Sequence, residues 1–179
     1  MLTGLLLGIL HYVLKPAPDE KLLQQYAQHM ANSTEWQGRI APDFELKTTR
    51  GERFQLSENV GKKIIVLNFF ATWCGPCREE MPAMEKLYQE YKPKNFIVLA
   101  VAVKDRKQDA IDFVKELKIT YPIALDPDAK VGGEYGAWGL PATYLIGPKG
   151  EGLARGWGPA EWYAPAARKL IQDLTDGKR

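Results

Sequence analysis

The chain has 179 residues, enough for one compact core, and its 45% hydrophobic content excludes a disordered polymer. Lysine plus arginine number 24 against 22 acidic residues, with the signs interleaved, so no charge pattern points to nucleic acid as a partner. No internal repeat or low-complexity tract is present.

The first stretch, MLTGLLLGILHYVL at 1–14, is almost all apolar and ends at Lys15 and Pro16. A helix of that length spans about 21 Å against a hydrocarbon core of about 30 Å. No Lys or Arg precedes the run, and no small-x-small cleavage site follows closely. A truncated signal-anchor, the core of a signal peptide and an apolar helix docked on the protein all fit this pattern. Residues 15–39 read as a partly helical spacer, with Leu22, Leu23, Tyr26 and Met30 on one rough face and breaks at Asn32, Ser33 and Gly38. A domain is expected over 40–175, followed by a polar tail at 176–179.

Within the domain, FELKTTRGERFQL alternates apolar and polar residues about Arg50-Gly51, which predicts a hairpin. KKIIVLNFFA is a continuous apolar run, as expected of a strand buried on both faces. The next segment repeats Met84, Leu87, Tyr88 and Tyr91 at helical spacing. FIVLAVAV reads as a second buried strand. A short helix over 108–117 carries Ile111, Val114 and Leu117 on one side. ATYLIG and GLARGW predict two further strands, antiparallel through a turn at Pro148-Lys149-Gly150, and a closing helix is expected over 161–174. Strands alternating with helices predict an α/β sheet with covered faces.

The only cysteines are Cys74 and Cys77, in FFATWCGPCREEMP. A disulfide across two residues closes a tiny loop and removes little entropy from the unfolded chain, so it is a poor staple. A structural zinc site needs four ligands, and the only histidines, His11 and His29, lie in the separate N-terminal stretch. A redox pair is the remaining reading. The order strand, Cys-Gly-Pro-Cys, helix places the sulfurs at a helix start, where free N–H groups and the dipole favour a thiolate. Pro76 suits a first turn, which does not use its missing N–H. Cys74 at the loop edge is then the nucleophile. Cys77, one turn in, resolves the mixed disulfide.

WCGPC, the apolar strand before it, Pro82 in the following helix and GLPATYLI together resemble a thioredoxin-like protein over about 40–174. The resemblance implies a central mixed β-sheet flanked by helices. It also implies a cis Pro141 facing the cysteines, with the backbone at Leu140 pairing with substrate. Trp73 is expected to shield the disulfide edge, and Phe69, Phe70 and Trp73 suggest an apolar groove for a peptide. The expected substrate-binding residues are Trp73, Gly75, Pro76, Leu140 and Pro141.

Asn68 stands where thioredoxins carry a buried Asp in the strand before the active site, so the proton-relay role moves elsewhere. Glu80, three residues after Cys77 and on the same helical face, is the candidate proton acceptor; a solvated surface carboxylate is the plainer reading. Glu79 is expected to face solvent. Asp105, after FIVLAVAV, either lines the groove or is an ordinary loop residue.

CREEMPAMEKLYQEY, the stretch from KELKITYP to GPKG and the apolar N-terminus resemble the membrane-anchored bacterial TlpA/ResA-type thioredoxins, which add an N-terminal β-hairpin. GPAEW at 158–162 looks closest to the TlpA side. The resemblance implies a reductant of specific protein disulfides, on apocytochrome c, a copper chaperone or an oxidase subunit. It would be anchored in the cytoplasmic membrane with its domain facing the periplasm or cell exterior, recharged by a membrane thiol-electron transporter, and without metal or other cofactor. Gly75 departs from the Glu often found inside the ResA-type cysteine pair, and Ala142 from the usual Thr. Three rival readings compete with this one. A peroxidase needs Thr or Ser three residues before the cysteine, where Ala71 stands. A copper-handling assembly chaperone needs wider cysteine spacing and a late histidine. An oxidase usually has a histidine between the cysteines.

Overall fold

The computed structural model describes residues 35–177; the apolar segment 1–14, the expected helical part of the spacer and the last two residues lie outside the described residues. Five strands form one sheet in the order β5-β4-β3-β6-β7. They are β3 (Ile64–Phe70), β4 (Phe96–Val103), β5 (Ile123–Asp126), β6 (Ala142–Ile146) and β7 (Gly152–Trp157). β3, β4 and β5 run parallel, while β6 and β7 are each antiparallel to the preceding neighbour in the sheet. Helices α1 (Gly75–Tyr91), α2 (Lys107–Glu116), α3 (Lys130–Tyr135) and α4 (Pro165–Thr175) complete the α/β architecture.

β1 (Glu45–Lys47) and β2 (Arg53–Gln55) form the expected N-terminal hairpin, with Leu46 opposite Phe54. Gly51 makes the turn possible at φ +86°, where a Cβ would be strained, and its N–H donates to the Thr48 carbonyl at 2.9 Å. Phe44 stacks on Phe54 and seats the hairpin against the sheet.

Every side chain of β3 is buried, which is why its sequence lacks polar alternation. The strand's period of two divides those side chains between two cores. Ile64, Val66 and Phe70 pack beneath α1, and Ile65, Leu67 and Phe69 pack on the opposite face with Trp36, Tyr135 and Tyr144. Asn68 has the parity of Val66 and Phe70 and therefore points toward α1. Phe69 and Phe70 are fully buried, so they build the core and not the groove surface expected of them.

The segment before the expected domain start also packs. Trp36 is 5% exposed, edge-on to Tyr144, and lies so close over Gly152 that a Cβ there would collide with it. Gly38 N–H donates to Gly152 O at 2.9 Å, and Ala41 N–H to Gly150 O at 2.8 Å, which tie this segment to β7 and the turn before it. Among the described residues, packing on the domain therefore already includes Trp36, four residues ahead of Ile40.

Candidate active site

The chain leaves β3 at Phe70 in the middle of the sheet and enters α1 through Ala71, Thr72, Trp73 and Cys74. Cys74 is the N-cap: its backbone is extended, and its Sγ accepts from the Cys77 N–H at 3.3 Å. Gly75 and Pro76 occupy the first turn, where Pro76 leaves no donor unsatisfied. The two sulfurs are joined in a disulfide with Cα atoms 5.3 Å apart. Cys77 is wholly buried and Cys74 is 7% exposed. On reduction, the same Cys77 amide and helix terminus would favour negative charge on Cys74 Sγ.

Cys77, Glu80, Met81, Met84, Leu87 and Tyr91 form the buried stripe of α1, at spacings of three and four. Glu80 therefore lies on the Cys77 face, 4% exposed, whereas Glu79 is exposed. Such a buried carboxylate requires partners. Asn68 Nδ2 donates to Oε1 at 2.9 Å, and Ala160 N–H and Trp162 Nε1–H each donate to Oε2 at 3.0 Å. Asn68 Nδ2 also donates to Thr143 Oγ1 at 2.9 Å, across the β3/β6 register in which those two residues are partners. The segment carrying Ala160 and Trp162 is turned inward at Gly158, φ +85°, whose N–H donates to Pro141 O at 2.8 Å. All three named partners donate to the carboxylate, an arrangement that suits its ionised form.

Beside the disulfide runs a groove of about 610 Å³, whose lining includes Trp73, Cys74, Gly75, Pro76, Leu140, Lys104 and Trp138. Trp73 is 70% exposed and Trp138 85% exposed, so two uncovered indoles line the groove that Cys74 also lines. The Leu140–Pro141 peptide is cis, Pro141 is buried, and Leu140 reaches the groove. Trp73, Gly75, Pro76 and Leu140 are thus gathered at one opening with Cys74.

Asp105 does not line this groove. It is 6% exposed, and its carboxylate accepts from Thr72 N–H and Thr72 Oγ1–H, each at 2.8 Å. Trp157 is 36% exposed beneath the Arg155 guanidinium, while Trp162 is 3% exposed. Sequence reading overlooked Trp138, Thr143 and the polar role of Trp162. GPAEW carried a signal for Trp162 through its position ahead of the closing helix, but its contact with Glu80 spans 82 residues.

Residues 37–151 match the AhpC/TSA family. The thioredoxin-like protein YneN of Bacillus subtilis is 40% identical over 153 residues, 84% of this chain and 87% of that one. The thiol-disulfide oxidoreductase ResA of the same organism is 38% identical over 115 residues, 64% of each chain, so the match spans just under two thirds of ResA. Among solved structures, a Chlorobium tepidum protein proposed to be the thiol:disulfide interchange protein DsbE superposes with a TM-score of 0.68 at 32% identity, over 79% of this chain and 96% of that one. The chain therefore belongs to the AhpC/TSA family, among its thioredoxin-like thiol-disulfide oxidoreductases of the ResA and YneN kind.

Proposed function

We propose that the protein works as a dithiol reductant of specific extracytoplasmic protein disulfides, in the maturation of cytochrome c or of the copper centre of cytochrome oxidase. The reduced Cys74 thiolate attacks one sulfur of the substrate disulfide, and the other substrate sulfur leaves as a thiolate. The Cys77 thiol then gives its proton to Glu80 and attacks Cys74 Sγ, releasing the second substrate thiolate. Two electrons pass to the substrate, and Cys74–Cys77 is left as the disulfide. A membrane thiol-electron transporter restores the dithiol. Residues 1–14 hold the protein at the bacterial cytoplasmic membrane, with the domain facing the periplasm or cell exterior.

The observation that carries this reading is the buried Glu80 carboxylate, held by three donors on the same helical stripe as Cys77. A base fixed beside the resolving cysteine serves a pair that must close quickly after attack. The peroxidase alternative lacks its hydroxyl: Ala71 is buried, and the neighbouring Thr72 hydroxyl donates to Asp105.

The test uses a disulfide-bonded Cys-x-x-Cys-His peptide patterned on apocytochrome c. The reduced protein should convert it to the dithiol, and Cys77→Ser should accumulate a mixed disulfide through Cys74. Oxidation of the reduced peptide by the disulfide form, with no reaction in the other direction at equal concentrations, would reverse the assignment.

A further inference from the structure

Four carboxylates among the described residues are buried: Glu80, Asp105, Asp126 and Asp173. Glu80 belongs to the thiol chemistry, Asp126 receives the Gly132 N–H inside α3, and Asp173 pairs with Lys169 one turn away. Asp105 has no such local explanation. It follows the end of β4, 33 residues from Thr72, yet both of its oxygens are engaged by that one residue.

We propose that Asp105 is a positioning residue for Cys74: it clamps the loop that presents the sulfur and, through its charge, holds the couple on the reducing side. The clamp fixes Thr72 by backbone and side chain together, two residues before Cys74. Cys74 N–H donates in turn to Ala71 O at 3.0 Å, so the short segment from Ala71 to Cys74 is tied at its base and closed on itself. The backbone at Lys104 supports the arrangement. Its φ is +57°, a left-handed conformation that side chains disfavour, and its N–H donates to Asp126 O at 3.1 Å. That turn leaves Lys104 exposed at the groove and sends Asp105 inward beneath Thr72. Strained backbone beside a reactive sulfur is a place to look for a functional constraint.

The Asp105 carboxylate is bonded to Thr72 N–H at 2.8 Å and Cys74 N–H is bonded to the adjoining Ala71 O at 3.0 Å, so the charge lies within about 12 Å of Cys74 Sγ. Among the described residues no Lys or Arg forms a salt bridge with it. A buried, unneutralised negative charge disfavours a thiolate nearby and so opposes the pull of the helix start. A less stabilised thiolate means a less stabilised reduced form, and hence a stronger reductant.

The inference rests on Cys74 being the attacking sulfur of a reductant, and the experiment separates the two ideas. Asp105→Asn keeps the shape and removes the charge. In the full-length protein it should lower the pH at which Cys74 alkylation by iodoacetamide is half-maximal and shift the equilibrium with glutathione by about three- to tenfold toward the dithiol. Thr72→Val, which deletes one bond of the clamp, should displace the same alkylation profile, whereas Thr72→Ser should restore it. Asp105→Asn combined with Thr72→Val should differ from the sum of the single effects, because the two residues act as a unit. A lower melting temperature with an unchanged alkylation profile and glutathione equilibrium would overturn the proposal, as would strict additivity. If Asp105→Asn fails to fold, the Thr72 pair reads the clamp from its other end. Were Cys74 not the nucleophile, Cys77→Ser would trap no peptide whatever stands at 105, which marks failure of the chemistry rather than of the clamp.

Discussion

Trp162 Nε1–H donates to Glu80 Oε2 at 3.0 Å, joining the turn before α4 to the helix that carries the cysteines. Both residues are nearly inaccessible to water, Glu80 at 4% and Trp162 at 3%. Deleting the donor leaves a buried carboxylate short of a partner, which costs about 1–3 kcal/mol and more where the lost bond is charge-assisted. Trp162→Phe should therefore lower the unfolding free energy of the disulfide form, read from urea titrations, by that order. In combination with Glu80→Gln the loss should be less than the sum, since the bond is already altered.

Glu80→Gln isolates the proton transfer. Gln keeps the volume, and Asn68 can turn its amide so that Oδ1 accepts from the new N–H₂, which lets the fold survive. Formation of the mixed disulfide through Cys74 should stay within about threefold of wild type. Its resolution by Cys77 should slow by about a hundredfold at pH 7, within the usual range for a lost general base. Rapid acid quench of a single turnover reads both steps.

Trp138 stands at the groove with 85% of its surface exposed, and its nearest role is to meet whatever enters. Trp138→Ala should leave the unfolding free energy from urea titration unchanged within about 0.5 kcal/mol, as surface replacements do. The rate with a protein disulfide should fall several-fold, while the rate with a small disulfide such as oxidised glutathione should hold. Equal losses on both would place Trp138 in the chemistry instead of in recognition.

Alkaline stability has a defined source in buried tyrosines, Tyr135 and Tyr144 in the core opposite α1 and Tyr121 in the core beneath it. Burial pushes the Tyr144 phenol up to about 12 and raises those of Tyr135 and Tyr121 as well. A folded pKa above the unfolded value near 10 means that this contribution is intact below pH 10 and is lost as pH rises toward 12. Each such group steepens the fall by at most about 1.4 kcal/mol per pH unit. Tyr144→Phe should make the loss between pH 10 and 12 shallower. It should also lower stability at pH 7 by about 1 kcal/mol, because the bond from Tyr144 Oη to Tyr135 O, 2.6 Å, is removed. Urea titrations at several pH values measure both effects.

The central strands were legible because IIVLNFF and FIVLAVAV are buried on both faces and so contain almost nothing polar. The hairpin announced itself through alternation about a glycine. β5 and α3 did not: β5 has four residues, and α3 is KVGGEY, whose two glycines erase both helical propensity and periodicity. α4 begins at Pro165 and not near Glu161, because Ala164 N–H closes a turn on Glu161 O just before Pro165 opens the helix. At the site, spacing alone placed Glu80 on the Cys77 face. Its donors were invisible in sequence, since Asn68 reaches it across the β3/α1 packing and Trp162 through a distant turn. On sequence Asp105 either lined the groove or was an ordinary loop residue; the left-handed backbone at Lys104 puts Lys104 at the groove and Asp105 against Thr72.

The measurement that bears most directly on the proposed direction of electron flow is the reduction potential of the Cys74/Cys77 couple, by equilibration against thiol buffers with Trp73 fluorescence as the reporter. The account predicts a value at or below about −200 mV, toward the thioredoxin end of the scale. A value near −120 mV, as for a strong disulfide-forming oxidant, would contradict it.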